Sequence, residues 1–344
     1  MGKQERKKTT PPVADPTTRR RRFLNGTMVA VAILCVLGII TGATVGIWFK
    51  KTFLANYEKT DYSGLSEAEL RDNAEQITIT EGYGQYTPTA RSKKEDLIKS
   101  FIAAEYNGLQ ADNFYTFANS FVDMGITTQV SYSDRRFDGT TVVATSASKG
   151  MISFAEKMTY NLGDDNVTIL RDSNVTEQKG DTLNCPFNCR FHNHPNQIIT
   201  SSYSKASTTT KGYDDYVATT GTAPRGLITH IVSSKTVVND PSTTFKTITL
   251  PSGETGYAFT LRLNPKTSVL NTVKQMKYLS NLDDYPTFRS VRLDVVLIKK
   301  NGQIYLKSID STEEYVVPYG MLAPQGTGYT HTEFTFNNVL TDEN

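Results

Sequence analysis

Cysteine is scarce in this sequence, with three residues in 344. Setting aside a tail and membrane segment of about 50 residues leaves roughly 290, enough for one large domain or two small ones. A domain of that length can bury a core without disulfide staples, so the low cysteine count does not argue against a folded protein.

Catalytic motifs are also missing. The sequence has no glycine-rich phosphate loop, no HExxH and no GxSxG, the short patterns of nucleotide, zinc and serine chemistry. Ser202 and Lys205 match S-x-x-K, but the K-T-G and S-D-N partners of penicillin-binding enzymes are absent. His230 and His331 fall in strand-like patterns, where we expect structural roles. We therefore expect neither an enzyme nor a cofactor.

Positive charge is concentrated at the N-terminus. Residues 1–51 carry ten lysines and arginines against Glu5 and Asp15, a net charge of +8. Because the whole chain sums to +2, the remaining residues sum to −6. Phosphate binding needs a basic face, so the acidic remainder argues against a nucleic-acid partner.

The chain has one long hydrophobic run, Met28–Phe49, with 22 residues and no charge. A helix of this length spans about 33 Å, enough for the hydrocarbon core of a bilayer. Arg19–Arg22 precede the run and further lysines lie upstream, so the positive-inside rule places the N-terminus in the cytoplasm. The run is longer than the apolar region of a signal peptide, which favours an uncleaved signal-anchor in the cell membrane over a cleaved leader.

Three glycines lie on one face of this predicted helix. Gly38, Gly42 and Gly46 form a GxxxGxxxG ridge, which lets two helices approach closely in lipid. A homodimer through the membrane helix is one reading; the general abundance of glycine in membrane helices is the other.

The sequence predicts four regions. Residues 1–27 read as a basic, disordered cytoplasmic tail because they have almost nothing to bury. Residues 28–49 are the transmembrane helix, 50–92 a polar stalk, and 93–344 an extracytoplasmic domain.

A cluster of possible metal ligands lies in the outer domain. Cys185, Cys189, His192 and His194 are spaced C-x3-C-x2-H-x-H, which only half matches a structural zinc site. Outside the cytoplasm, a local disulfide between the two cysteines is favoured over metal binding. Unpaired thiols are the third possibility.

Helical spacing occurs at three places in the outer domain. Capping boxes at Ser66/Glu69 and Ser92/Glu95 introduce a short helix and a helix over 93–106 that is stopped by Asn107-Gly108. The spacing of Phe114, Phe117, Ala118 and Phe121 predicts a second helix over 112–123, and Asn264-Pro265 introduces a third over 266–280.

The other segments are strand-like. Alternating residues at 257–263 predict a half-buried strand, and Asn301-Gly302 between two apolar runs predicts a type I′ hairpin. Further strands are predicted over residues 126–132, 140–145, 151–160, 166–170, 227–233, 245–250, 291–299, 303–309, 314–317 and 330–336. This order predicts an α+β fold, a curved antiparallel sheet with helices packed on one face, preceded by the single transmembrane helix.

This layout resembles that of the LolA/LppX-like extracytoplasmic lipoproteins. The closest stretch is the helix at Pro265–Ser280 followed by VRLDVVLIKKNGQIYLKSID and the terminal THTEFTF. The resemblance implies a cavity between sheet and helices that shelters an apolar ligand, although a membrane helix stands here in place of a lipobox. The opening KKEDLIKSFIAAEYNGLQADNFYTF also resembles NTF2-like domains.

Two functions follow from these observations. The first is a membrane-anchored binding module that holds an apolar or amphiphilic ligand, such as a lipid, or a peptide. It predicts a sizeable apolar pocket between the sheet and the helices at 93–106, 112–123 and 266–280. The second is a cell-envelope scaffold without a small ligand, which predicts an exposed apolar patch instead.

Overall fold

The computed structural model describes residues 50, 57–71, 86–124, 128–149, 154–163, 165–172, 176–179, 197–200, 207–280, 282, 284–318 and 322–336. By its contacts the chain divides into Met1–Lys51 and Thr52–Asn344, and the first unit is described only at residue 50. None of the helices in the described ranges is both long enough and apolar enough to span a bilayer. The predicted transmembrane run at 28–49 lies outside those ranges.

Thirteen strands run through the described part of Thr52–Asn344. They are β1 Phe114–Asp123, β2 Thr128–Phe137, β3 Thr141–Lys149, β4 Phe154–Gly163, β5 Asn166–Asp172, β6 Thr176–Lys179, β7 Gln197–Thr200, β8 Ser207–Gly212, β9 Lys246–Thr249, β10 Thr255–Leu263, β11 Thr287–Lys300, β12 Gln303–Val316 and β13 Gln325–Phe336. The α-helices of the same ranges are α1 Glu67–Arg71, α2 Lys94–Gln110, α3 Tyr213–Thr220 and α4 Leu270–Ser280.

Eleven of these strands form one antiparallel sheet in the order β8-β5-β4-β3-β2-β1-β13-β12-β11-β10-β9. Most neighbours are consecutive in sequence, but β1 pairs with β13 along its whole length, from Phe114↔Phe336 to Asp123↔Thr327. Strands β6 and β7 form a separate two-stranded sheet, and β7 contacts β3 and β4. The predicted α+β class is therefore wrong: the described chain is a largely β fold built on one large sheet with few helices.

The segment around Phe117 accounts for much of the difference between the predicted and the observed fold class. The helix predicted over 112–123 is strand β1, paired with β2 and β13. Its aromatic residues fit the helical period by coincidence, because both faces of the strand are covered. Phe114 packs in the main core, whereas Phe117 and Phe121 join two small clusters on the opposite face.

Helix α2 begins and ends later than predicted. Its N-terminus is capped by Asp96, whose carboxylate accepts a hydrogen bond from the backbone N–H of Lys93 at 2.8 Å. Gly108 does not stop the helix. A Cβ at this position would come within 2.4 Å of Leu227 Cδ1 and 2.8 Å of a ring carbon of Phe336, so glycine allows the helix to pack closely there.

The solid core lies under α2, on the half of the sheet formed by β10–β12. The inner faces of these strands carry large aliphatic side chains that are fully or almost fully buried. They include Leu261, Leu293, Leu297, Ile304 and Leu306, which pack with Leu97 and Phe101 of α2.

Several local predictions are confirmed. Asn301 and Gly302 both have positive φ, 50° and 77°, in the turn between β11 and β12. The alternating segment at 257–263 lies within β10, and the short helix after Ser66 is α1. The strand predicted over 227–233 is wrong, because this segment forms a loop.

Residues 57–71, within the predicted stalk, contact the sheet domain. Tyr62 is buried, donates a hydrogen bond to the Pro286 carbonyl at 3.2 Å and packs edge to face on Tyr285. Arg71 of α1 lies 2.6 Å from Glu67 and 3.6 Å from the buried Glu105 of α2. This segment therefore adds an apolar anchor and an ion-pair network to the domain.

Candidate functional site

A cavity of about 970 Å³ opens over the sheet beside the solid core. It is a partly open cleft, and its floor takes side chains from eight neighbouring strands, from β5 across to β11. Eight strands in a flat sheet would spread over about 34 Å, since neighbouring strands lie about 4.8 Å apart. The sheet must therefore curve around the cavity.

Small side chains on the floor leave this space open. On β1 to β3 the inward positions carry alanine and hydroxyl residues where β10–β12 carry leucine and valine. They are Thr116, Ala118, Ser120, Ser131, Ser133, Ala144 and Ser146. Larger apolar groups, Met158, Ile309 and Phe334, border this polar floor, so the lining is amphiphilic.

The roof consists of α3, α4 and the loop that follows α3. Thr220 of α3, Thr272 and Tyr278 of α4, and residues 222–224 and 226–230 of the loop all line the cavity. The helix predicted over 266–280 thus contributes to the cavity as α4. The segment predicted as a helix over 112–123 contributes as strand β1, through Thr116, Ala118 and Ser120. No residue of α2 borders the cavity.

Arg135 of β2 is a cation inside this cavity. Its guanidinium donates to the carbonyl oxygens of Pro224 and Leu227 in the roof, at 3.4 and 3.3 Å, and lies 5.6 Å from the ring centre of Phe114. Burial lowers the pKa of Arg135 to about 10, and the phenols of Tyr160 and Tyr216 oppose that shift. The group stays charged at neutral pH, although burial makes its charge costly.

Tyr160 of β4 and Tyr216 of α3 stand beside Arg135 in the lining. Their rings pack edge to face with centres 5.9 Å apart. Burial raises the pKa of both phenols. Both therefore keep their O–H protons and can serve as hydrogen-bond donors.

Glu156 of β4 and Arg171 of β5 form an ion pair in the lining of the cavity. Arg171 Nε is 3.1 Å from a carboxylate oxygen of Glu156. Arg171 Nη2 and the hydroxyl of Tyr160 also approach the sulfur of Met158, at 3.7 and 3.3 Å. This arginine has its own carboxylate, so its charge is balanced inside the cavity.

A second pair joins the roof to the floor. His230 Nε2 in the loop lies 2.7 Å from Glu313 Oε1 on β12, at ion-pair distance but outside hydrogen-bond angles. His230 therefore lies in the loop that roofs the cavity. The strand that the sequence pattern predicts at this position is not formed. His331 does lie in a strand, β13, on the outer face of the sheet, 2.5 Å from Asp310.

The other predicted site residues lie outside the described ranges. These are Cys185, Cys189, His192 and His194 of the disulfide or metal cluster, Gly38, Gly42 and Gly46 of the membrane helix, and Ser202 and Lys205. Within the described residues, no group of three or more His, Cys, Asp or Glu side chains could hold a metal ion.

Sequence reasoning missed the residues that make this cavity. Arg135 is one of two successive arginines, Arg135 and Arg136, which point to opposite faces of β2. The only local signal is the run of small hydroxyl residues at alternate positions of β2 and β3. This pattern can be recognised only once the strand register shows which side chains share a face of the sheet.

Comparisons with known proteins add little to this geometry. No protein-family model and no curated protein sequence matches the chain. Among solved structures it is similar to the Mycobacterium tuberculosis lipoprotein LppX, with 8% identity, 72% of this chain and 98% of that chain covered, and a TM-score of 0.32. It is also similar to a porin-like protein from Bacteroides uniformis, with 6% identity, 66% and 96% covered, and a TM-score of 0.20.

LppX bears the name of the lipoprotein group that the sequence layout resembles. Both TM-scores are below 0.5, and neither comparison carries an argument about function.

Proposed function

We propose that residues 93–344 form an extracytoplasmic binding domain, anchored by a transmembrane helix at 28–49, that holds an apolar or amphiphilic ligand or a peptide. The cavity over β1–β5 and β11–β13 is the observation that carries this proposal. Its volume of about 970 Å³ is at the upper end of the range usual for small-molecule sites.

The lining fits a ligand with both apolar and polar parts. Ala118, Ala144 and Ile228 offer apolar contact, while Ser131 and Ser146 offer hydroxyl groups. A purely apolar ligand would leave many of these hydroxyls without partners, which costs free energy in a desolvated site. An amphiphile satisfies both kinds of surface.

A scaffold without a ligand would need an exposed apolar patch. The large apolar side chains that are exposed in the described residues belong to four separate segments: Leu170 of β5, Val238 of a loop, Tyr278 of α4 and Leu322 ahead of β13. No observation on these residues favours the scaffold over the binding module.

Native mass spectrometry of the unit Thr52–Asn344 tests the proposal, once circular dichroism has established that the unit is folded. The expected result is a set of masses above that of the bare chain, which organic extraction removes. A protein that carries no adduct and takes up neither added fatty acid nor added peptide would contradict it.

The membrane anchor is tested separately by protease treatment of intact cells that express the full chain. An extracytoplasmic domain is digested from outside, while an epitope on the N-terminal tail is protected. A domain that is digested only after lysis would contradict the proposed orientation.

A further inference from the structure

The guanidinium of Arg135 has hydrogen-bonding capacity that the described part of the chain does not use. An arginine side chain carries five N–H donors, and Arg135 directs two of them at carbonyl oxygens, at 3.4 and 3.3 Å. Both distances exceed the 2.7–3.2 Å usual for such bonds. Within the described ranges, the remaining donors have no acceptor and no carboxylate lies at ion-pair distance.

The second arginine of the cavity, Arg171, has its positive charge balanced by a carboxylate. Arg171 is 3.1 Å from Glu156, so this pair adds no net charge. Among the described residues, Arg135 contacts only backbone carbonyls and the face of Phe114. A partly buried cation without an anion is expensive to maintain, and an incoming anion would relieve that cost.

The neighbouring tyrosines carry two further O–H groups. The Tyr160 O–H is directed at the sulfur of Met158, at 3.3 Å, a weak acceptor that an anionic oxygen would replace. Tyr160 and Tyr216 line the same part of the cavity and interact electrostatically with Arg135. A guanidinium with adjacent phenol hydroxyls matches the oxygens of a carboxylate or a phosphate, which accept several short, charge-assisted bonds.

We propose that Arg135, with Tyr160 and Tyr216, binds the anionic head of an amphiphile whose apolar part lies along Ala118, Ala144 and Ile228. This inference rests on the proposed binding function and specifies its ligand class. The head is a carboxylate or a phosphate, and the two are distinguished by experiment.

The test uses the full chain in lipid nanodiscs and a photoreactive, clickable dodecanoate. Crosslinks to peptides of β1–β5 are quantified by mass spectrometry in competition with laurate, dodecyl phosphate, dodecanol and dodecyltrimethylammonium. Free competitor is measured after ultrafiltration, so partition into the nanodisc does not distort the comparison. Arg135→Gln and Arg135→Lys are compared with Arg262→Gln, which removes the same charge from an exposed position of β10.

In the wild-type protein we expect laurate or dodecyl phosphate to compete at concentrations about tenfold lower than dodecanol. Arg135→Gln removes that preference, Arg135→Lys retains part of it because the charge remains without the planar fork, and Arg262→Gln leaves it unchanged. The more effective of the two anions identifies the head group.

Other outcomes separate the two proposals. If dodecanol competes as well as the anions and Arg135→Gln changes nothing, the anion site is overturned while the binding function stands. If no dodecanoate crosslinks appear in β1–β5 and no competitor acts, the cavity does not take up an amphiphile, and both the anion site and the amphiphile-binding function are overturned. If Arg135→Gln does not fold, the wild-type order of the anionic, neutral and cationic competitors still decides.

Discussion

At the scale of single residues, His331 couples its protonation to the stability of the fold. It lies on the outer face of β13, with Nδ1 2.5 Å from Asp310 and Nε2 3.4 Å from Glu333. The hydrogen bond to Asp310 is the main cause that raises the pKa of His331, while burial opposes it. The protonated imidazole is therefore favoured in the folded state.

The pH dependence of this contribution has a definite sign. Because the folded pKa is raised, the contribution is complete below the ordinary histidine value near 6.5 and is lost as the pH rises through the raised value. We expect His331→Gln to cost about 1–2 kcal/mol of unfolding free energy at pH 5.5 and less at pH 9. Urea unfolding of residues 52–344 at both pH values measures this. An equal cost at the two values would show that the charged pair does not contribute.

Arg135 and Arg136 show how much a residue's role depends on its face of the sheet. Arg136 lies over the ring of Tyr115 at 5.2 Å on the outer face and pairs with Asp134 at 3.4 Å. Arg135 points into the cavity. Two adjacent and chemically identical residues thus have different environments, which composition and charge counts do not distinguish.

At the scale of elements, the contact between α3 and α4 determines the roof of the cavity. Helix α3 ends at Gly221 in the left-handed conformation, with φ of 81°. A Cβ there would lie 2.7 Å from Cα of Asn271 and 2.9 Å from its carbonyl oxygen. The backbone of α4 therefore leaves no room for a side chain at this position.

We predict that Gly221→Ala destabilises the domain by about 2 kcal/mol or more, from left-handed strain together with displacement of α4. Gly253→Ala is the matched control, because its φ is 85° but nothing lies within 4 Å of the added Cβ. The control should cost only the conformational part, about 1 kcal/mol. Thermal unfolding of both variants gives the comparison, and equal losses would mean that the helices separate without cost.

Some helices and strands could be predicted from their local sequence, and others could not. The hairpin at Asn301-Gly302 and the strand at 257–263 are specified locally, by turn chemistry and by alternation. Strand β1 is not, because its large residues lie on both faces and their spacing happens to fit a helix. Its strand conformation depends on hydrogen bonds to β2 and to the distant β13.

At the scale of the whole molecule, the cavity results from two halves of one sheet with different inner faces. Large aliphatics under α2 fill one half, and small hydroxyl residues leave the other half open. Filling the open half should therefore affect binding more than stability.

We predict that Ala118→Phe with Ala144→Phe abolishes ligand uptake while changing the unfolding free energy by only about 0.5 kcal/mol per site, since both side chains line open space. Thr145→Phe is the control, because Thr145 follows Ala144 on β3 and lines a groove on the opposite face. Native mass spectrometry of adducts and urea unfolding provide the two readouts. Retained uptake in the double variant would place the ligand elsewhere.

The sequence by itself determined the local features: the Asn-Gly turn, the alternation of β10, and the approximate positions of α1, α2 and α4. These depend on neighbouring residues and on the intrinsic preferences of backbone and side chain. Only the tertiary structure decided that 112–123 contains strand β1, that 227–233 is a loop whose residues 227–230 roof the cavity, and that Arg135 faces this cavity. The physical reason is that each depends on pairing between distant segments, above all β1 with β13, which sets the faces of the strands and the curvature of the sheet.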